Sequence, residues 1–246
     1  MNNNSQYRYF GYIMAFFPAI LIISNVASSA KIVDLGITLF GFWGIPPVQL
    51  AFDGGTLLFP IAYVLGDILT EVYGFRAARR VIWTGFIVLA LSSLFFFILA
   101  VLPGDAYWEG YAGTAAYNAI LGGMSTGGIA LASLSGYLVG SFSNAIVLSL
   151  MKVKTKGRAL WARVIGSSLV GELLDTLAFV TIASLTGVFG WELFAALVLT
   201  NYIFKVSIEV IVLPFTFFAV RKLKKAEGID TYDSWRGFRL KSESNT

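Results

Sequence analysis

The sequence predicts an all-α integral membrane protein, a bundle of about six transmembrane helices. Of its 246 residues, 57% are hydrophobic and only 13% are charged, and the mean hydropathy is +0.75. Water-soluble domains with charged surfaces hardly reach such a balance. The apolar runs are about 20 residues or longer and do not alternate evenly, which is typical of membrane helices and not of outer-membrane barrels.

Histidine and cysteine are both absent from the chain. Their absence excludes disulfide frameworks, thiol nucleophiles and imidazole-based zinc or acid–base sites. We therefore expect no catalytic residue, no metal site and no cofactor. The net charge of +4 is explained by where the basic residues lie relative to the membrane, so it does not indicate a nucleic-acid partner.

The first half of the chain contains three predicted spans. The first covers about residues 9–30 and is longer than the apolar core of a signal peptide. The second covers about residues 55–75 and the third about 81–102. Residues 31–55 form a connector that disfavours a straight helix and leaves an interfacial or re-entrant segment open. The residues that disfavour the helix are Gly41, Gly44, Pro46 and Pro47.

The second half contains three further spans. The fourth covers about residues 119–151 and is rich in glycine and serine, which allow helix backbones to approach closely. The fifth covers about residues 159–187, and the sixth follows the turn at 190–192. We expect residues 1–225 to form a single six-helix transmembrane domain and residues 226–246 to form a polar cytoplasmic tail.

Basic residues cluster at 76–80, 152–158 and 221–225. The loops between these clusters, around Asp105 and Glu192, are acidic or nearly uncharged. Cytoplasmic loops of membrane proteins carry an excess of lysine and arginine. With about six spans, the three clusters then fall on one side of the membrane and both termini are cytoplasmic.

Two carboxylates lie inside the second span. Asp67 and Glu71 are four residues apart, so they share one helix face with Tyr63. Ionised side chains are costly in hydrocarbon, and intramembrane acids usually face a bundle interior or a watery cavity. Two interpretations of Glu71 stay open: a gating pair with Arg76, or an interfacial ion pair between long side chains that reach the membrane surface.

The fifth and sixth spans carry further ionisable residues. Glu172, Asp175 and Phe179 lie at helical spacing on one face of the fifth span. Lys205 and Glu209 are four residues apart in the sixth, so a purely structural pair within that helix stays open. The uncharged polar candidates, in the first and fourth spans, are Asn25 and Asn144.

The string Gly-Asp-Ile-Leu-Thr-Glu-Val-Tyr-Gly at 66–74 is chemically unusual for a membrane helix. With Gly-Glu-x-x-Asp-Thr at 171–176 and Lys-x-x-x-Glu at 205–209, it resembles the queuosine precursor transporters, also called the vitamin uptake transporter-like family. The resemblance covers nearly the whole chain. It implies import of 7-deazaguanine bases across the bacterial inner membrane, for making queuosine in tRNA.

The substrates that the resemblance implies are 7-cyano-7-deazaguanine, 7-aminomethyl-7-deazaguanine and queuine. The family is also loosely similar to the substrate-binding subunits of energy-coupling-factor transporters, although nothing in this sequence requires a coupling ATPase. The expected partners are the lipid bilayer and the small-molecule substrate, with no nucleic acid. Homo-oligomerisation stays open.

The residue types fit such a substrate. A guanine edge offers N–H donors side by side, which a carboxylate can accept, and a carbonyl that needs a donor. Our hypothesis is that Glu172 and Asp175 read this edge, while Lys205 and Glu209 complete or gate the site. The remaining candidates are an acceptor, Asp67, two donors, Asn25 and Asn144, and two aromatic faces for stacking, Tyr63 and Phe179.

Two other functions stay open at this point. One is a proton-coupled transporter of another small polar solute or vitamin, in which Asp67 or Glu209 carries the proton. The other is an intramembrane aspartyl protease that uses Asp67 and Asp175. Position 64 is valine where the protease motif needs glycine, so we expect that the protein is not an enzyme.

Overall fold

A computed structural model describes residues 7–39 and 48–233. Long helices form a bundle, and one two-stranded hairpin follows the first helix. The elements of the first half are α1 (Phe10–Ala30), β1 (Ile32–Leu39), β2 (Val48–Asp53), a 3-10 turn (Gly54–Leu57), α2 (Phe59–Ile68), a π-turn (Leu69–Tyr73) and α3 (Phe75–Val101). Those of the second half are α4 (Ala106–Tyr111), α5 (Gly113–Ser125), α6 (Gly127–Lys154), α7 (Leu160–Leu185), a 3-10 turn (Trp191–Leu193) and α8 (Phe194–Glu227).

The bundle has the surface of a membrane protein. Within the described residues, five helical stretches are long and apolar enough to cross a membrane. The core lies where α1, the π-turn, α3 and α8 meet and includes Phe17, Val72 and Val220. Large apolar side chains such as Phe97 and Ile211 are exposed on the outside. Helices that are apolar on both their inner and outer faces are expected where lipid is the solvent.

The second predicted span is shorter than a full crossing. It consists of ten residues of α2 and five of the π-turn, a rise of about 22 Å against a hydrocarbon core of about 30 Å. It ends at Gly74, which has φ +84°, a conformation that glycine adopts without strain. Asp67 and the whole π-turn are buried. This segment is therefore held inside the bundle.

Two other predicted segments have a more detailed structure. The fourth span is divided into α5 and α6 by Thr126, whose backbone is extended. In the predicted connector at 31–55, β1 and β2 pair antiparallel, with Ile32 opposite Asp53 and Leu39 opposite Val48. This agrees with the expectation that the connector is not a straight helix. The residues on which that expectation was based, Gly41, Gly44, Pro46 and Pro47, lie outside the described residues.

The beginning of α1 and the end of α8 lie at the same end of the bundle. The backbone N–H of Tyr9 donates to the Glu227 carboxylate, at 2.7 Å. At this end, Lys152 of α6 and Lys224 of α8 both approach Glu71, which lies in the π-turn. We call this the basic end, and the opposite one the far end. Residues of the three predicted basic clusters therefore meet at one end of the bundle, since α3 also begins there.

Close packing of α6 on α7 depends on glycine. A Cβ atom at Gly140 would lie 2.5 Å from the Cβ of Asp175 and 3.1 Å from the Gly171 carbonyl oxygen. A Cβ atom at Gly171 would in turn lie 2.8 Å from the Cβ of Asn144. The packing role predicted for the glycines of the fourth span is confirmed at Gly140 and absent at Gly127, where a Cβ atom would meet no atom within 4 Å.

Candidate functional site

A cavity of about 590 Å³ lies among the helices, a volume within the range of small-molecule sites. It reaches from Ser29 and Asn201, near the far end, to Thr70 on the π-turn. Its wall is mostly apolar, with Phe17 and Leu21 among the contributors. Its other polar residues include Asn25, Ser28, Tyr63, Asn118, Asn144, Asp175, Thr176 and Lys205.

One side of this cavity borders a group of buried charges. Lys205 of α8 contacts the Asp175 carboxylate directly, and its Nζ atom lies 3.6 Å from the Glu172 carboxylate. The Tyr63 hydroxyl hydrogen-bonds to Glu172. Glu172 is 1% exposed and Asp175 is 8% exposed. The predicted juxtaposition of the α7 carboxylates with Lys205 is thus present, but Lys205 pairs across helices and not with Glu209 of its own helix.

Asp67 and Glu209 complete this group with different partners. The Asn144 side-chain amide donates to Oδ1 of Asp67, at 2.9 Å. The Ser168 hydroxyl donates to Oε1 of Glu209. In the described part of the chain, neither carboxylate is in an ion pair. We call Asp67, Glu172, Asp175 and Glu209, together with Lys205, the central cluster.

A second charged cluster closes the basic end around Glu71. This residue is fully buried, and its Oε1 atom lies 2.7 Å from Arg163 Nη2 and 2.6 Å from Lys224 Nζ. Lys152 Nζ is 3.6 Å away and donates to the Glu71 backbone carbonyl. Three helices, α6, α7 and α8, therefore each direct one cation at a single carboxylate. This differs from the predicted pair with Arg76: Gly74 ends the π-turn before that residue, and the Arg76 side chain is exposed.

Residues 229–233 pack against this second cluster. Oδ1 of Asp230 lies 2.5 Å from Lys152 Nζ and 2.8 Å from Lys224 Nζ. The Asp233 carboxylate accepts from the Phe75 backbone N–H, at 2.9 Å, and from the Ser149 hydroxyl, at 2.5 Å. The first part of the predicted polar tail is thus bound to the bundle, while 234–246 lie outside the described residues.

We expect the contribution of Asp230 to stability to be lost at low pH. Burial acts to raise the pKa of this carboxyl, but Lys152 and Lys224 outweigh it and hold the pKa below its ordinary value of 3.8. A depressed folded-state pKa gives stabilisation that is present above the unfolded pKa and disappears as the pH falls through the folded one. The unfolding midpoint of wild type should therefore exceed that of Asp230→Asn at about pH 7, and the difference should shrink progressively as the pH falls below the ordinary pKa of 3.8. A difference that stays the same as the pH falls would contradict the contact.

The predicted site residues fall into three places. Those that line the cavity are Asn25, Tyr63, Asn144, Asp175, Phe179 and Lys205. Asp67, Glu172 and Glu209 lie behind this wall in the central cluster, and Glu71 lies at the basic end. Asn118 and Asn201 also line the cavity but were not predicted. An asparagine within an apolar membrane helix is expected to contact another helix or a ligand. Its occurrence in such a helix is therefore the sequence feature by which Asn118 and Asn201 could have been predicted.

The family model described as "Putative vitamin uptake transporter" matches residues 53–219. The queuosine precursor transporter of Escherichia coli (strain K12) is 26% identical over 205 residues, 81% of this chain and 83% of the relative. The probable queuosine precursor transporter of Bacillus subtilis (strain 168) is 27% identical over 174 residues, 70% of this chain and 73% of the relative.

A third relative, the probable queuosine precursor transporter of Haemophilus influenzae, is 28% identical over 160 residues, 64% of this chain and 63% of the relative. No solved structure gave a match. All three relatives are named as transporters and none as an enzyme. Because the family model covers more than half of the chain, this protein belongs to the vitamin uptake transporter family that includes the queuosine precursor transporters.

Proposed function

We propose that this protein imports 7-deazaguanine queuosine precursors across the bacterial inner membrane and binds them in the central cavity. The observation that carries the proposal is a pair of unsatisfied polar atoms on the cavity wall. Asn144 is 4% exposed and Thr176 is 1% exposed, yet Oδ1 of Asn144 and Oγ1 of Thr176 have no hydrogen-bond partner among the residues that the structure describes. Buried polar atoms are normally satisfied, so these two atoms offer hydrogen bonds to a polar ligand.

The chemistry of the wall suits a planar base with a guanine edge. Behind the wall, Oε2 of Glu172 lies 3.6 Å from Lys205 Nζ, has no hydrogen-bond partner among the described residues, and can accept from the N–H groups of that edge. We propose that Glu172 and Asp175 read the edge and that Lys205, which contacts Asp175 and lies 3.6 Å from Glu172, turns toward the substrate carbonyl. Tyr63 and Phe179 supply aromatic faces for stacking.

The orientation of the bundle in the membrane that we propose follows from the lysine and arginine residues at the basic end. Cytoplasmic loops are enriched in lysine and arginine, so the basic end faces the cytoplasm, and the cavity extends toward the outside. The Glu71 cluster and residues 229–233 then close the cytoplasmic side. Substrate released into the cytoplasm must pass this closure, so Glu71 belongs to a gate with Arg163, Lys152 and Lys224.

Direct binding of 7-cyano-7-deazaguanine to the detergent-purified protein tests the proposal. We expect saturable binding that guanine displaces and adenine does not, because adenine lacks the N–H donor pair and the carbonyl of the guanine edge. Glu172→Gln and Asp175→Asn should each weaken binding by about 10- to 100-fold, since a hydrogen bond to a charged group contributes about 1.5–3 kcal/mol. Glu192→Gln, an exposed carboxylate in the turn before α8, is the matched control.

Wild-type affinity in both Glu172→Gln and Asp175→Asn would disprove recognition by these carboxylates.

The second candidate function is transport of another small polar solute or vitamin. It is favoured by the number of asparagines on the wall, Asn25, Asn118, Asn144 and Asn201, because amides bind many polar solutes. A folded protein that binds none of the deazaguanines would support this candidate.

A further inference from the structure

The central cluster contains more acids than bases. If all its members were ionised, Asp67, Glu172, Asp175 and Glu209 would leave three net negative charges beside Lys205. The four carboxylates interact electrostatically: Asp67 with Glu172, Glu209 with Asp67, and Glu172 with Asp175. Uncompensated charge inside a bundle surrounded by hydrocarbon is very costly. Some of these carboxyl groups must therefore be neutral in the folded protein.

The contacts indicate which carboxyl groups are neutral. Lys205 is in direct contact with Asp175 and lies within 3.6 Å of Glu172, so the available positive charge lies at these two residues of α7. Asp67 has the Asn144 amide as its partner, and Glu209 has the Ser168 hydroxyl. Both partners are uncharged donors, and a hydroxyl or amide does not replace a counter-ion.

The charged groups around Asp67 are the other acids. Glu172 of α7, Glu209 of α8 and Glu71 on its own segment interact with Asp67, while α6 presents to it the neutral amide of Asn144. Glu71 has its own cations at the basic end. The groups that face Glu209 are Ser168 and Glu172 of α7, and Tyr63 and Asp67 of α2. Within the described residues no cation in an ion pair with either carboxylate offsets this repulsion.

Independent observations connect these carboxyl groups to a ligand. Oδ1 of Asn144 lacks a hydrogen-bond partner within residues 7–39 and 48–233, and Asn144 lines the cavity. The same side-chain amide donates to Asp67, so a ligand that donates to Asn144 acts on the hydrogen-bond partner of Asp67. Oε2 of Glu209 is likewise buried and makes no hydrogen bond in the described part of the chain. A change in the cavity is therefore transmitted to Asp67 through the single side chain of Asn144.

We propose that Asp67 and Glu209 form a proton-binding site that couples substrate import to the inward movement of protons. This rests on the proposed function. On the cavity side each carboxylate takes a proton from a hydronium ion, whose O–H bond breaks as the carboxyl O–H bond forms. When the Glu71 cluster opens, water reaches Asp67 from the basic end, the O–H bonds of Asp67 and then of Glu209 break, and each proton leaves on a water molecule as hydronium. Asp67 lies one helical turn from Glu71, so the opening of the gate exposes the proton site.

The first test needs no substrate. The infrared spectrum of the purified full-length protein at neutral pH should contain the C=O stretching band of protonated carboxyl groups. This band should lose intensity in Asp67→Asn and in Glu209→Gln and should keep it in Glu192→Gln. If the wild-type band is missing, or if it is unchanged in both cluster variants, the proton site does not exist, whatever the substrate is.

The second test uses the protein in liposomes with 7-cyano-7-deazaguanine as the probe. A gradient of about one pH unit, acid outside the liposomes, should raise wild-type uptake at least about tenfold over uptake without a gradient. The reason is that one pH unit corresponds to about 1.4 kcal/mol per proton. This ratio should fall to about one in Asp67→Asn and in Glu209→Gln, whatever their absolute rates, and stay at the wild-type value in Glu192→Gln. Uptake that responds to a sodium gradient and not to pH would overturn the coupling. Lack of binding to wild type would instead overturn the proposed function.

Discussion

Glu71→Gln is expected to lower the free energy of unfolding by about 3–5 kcal/mol, the range for removing one partner of a buried ion pair. Glu71 is fully buried, and Arg163, its partner at 2.7 Å, is 1% exposed. In the described part of the chain, Arg163 has no other carboxylate in an ion pair. Lys152 and Lys224 keep Asp230 as a partner. The cost therefore arises mainly at Arg163, whose buried guanidinium is left without a carboxylate partner among the described residues.

Unfolding of the purified protein in detergent or mixed micelles, followed by circular dichroism, measures this effect. The double variant Glu71→Gln/Arg163→Met removes both charges and should recover at least half of the loss, because an apolar replacement of a buried pair is often nearly neutral. Glu192→Gln should unfold like wild type, since its side chain is exposed. A Glu71→Gln protein within about 1 kcal/mol of wild type would show that Glu71 does not hold the basic end together.

Regular spacing allowed much of the site to be predicted from the sequence. Residues four apart on a helix share a face, and the cost of charge in lipid directs such faces inward. Asp67 and Glu71 are accordingly buried. Glu172, Asp175 and Lys205 meet across α7 and α8, as the same rule and the resemblance to the queuosine precursor transporters predict.

Pairing partners could not be predicted in the same way. Lys205 and Glu209 have the spacing of an ion pair within one helix, but Lys205 pairs with Asp175. The choice depends on how closely α7 approaches α8, which local spacing does not encode. Arg76 is nearer to Glu71 in sequence than Arg163 is, yet the turn at Gly74 separates them and the packing of α7 supplies Arg163 instead.

Contacts between segments that are far apart in the sequence could not be predicted either, because they leave no signal in the local sequence pattern. Lys152 belongs to a basic loop in the sequence, where a solvated side chain is expected, but it is 2% exposed. It is covered because residues 229–233 fold back over it, with Asp230 at 2.5 Å and the Thr231 carbonyl at 2.7 Å. A short polar segment after a basic helix end gives no periodic pattern from which such a contact could be inferred.

Gly140→Ala is expected to disturb both the fold and the cavity. The added Cβ would lie 2.5 Å from the Cβ of Asp175, a distance that forces α6 and α7 apart. Overpacking of this kind costs about 1–3 kcal/mol. Since Asp175 holds Lys205, its displacement should also weaken binding of 7-cyano-7-deazaguanine by at least about tenfold, which corresponds to about 1.4 kcal/mol.

Gly127→Ala in the same helix is the matched control, because a Cβ atom there would meet no atom within 4 Å. Alanine is favoured over glycine by up to about 1 kcal/mol in a helix interior, and Gly127 is the first residue of α6. Helix propensity therefore favours Gly140→Ala at least as much as Gly127→Ala, so a greater loss of stability in Gly140→Ala comes from the contact with α7. The measurements are the unfolding midpoint and the binding isotherm of each variant. If Gly140→Ala matched Gly127→Ala in both, the close approach of α6 and α7 would have no part in placing Asp175. Weaker binding with unchanged stability would locate the effect in the position of Asp175 and not in the strength of helix packing.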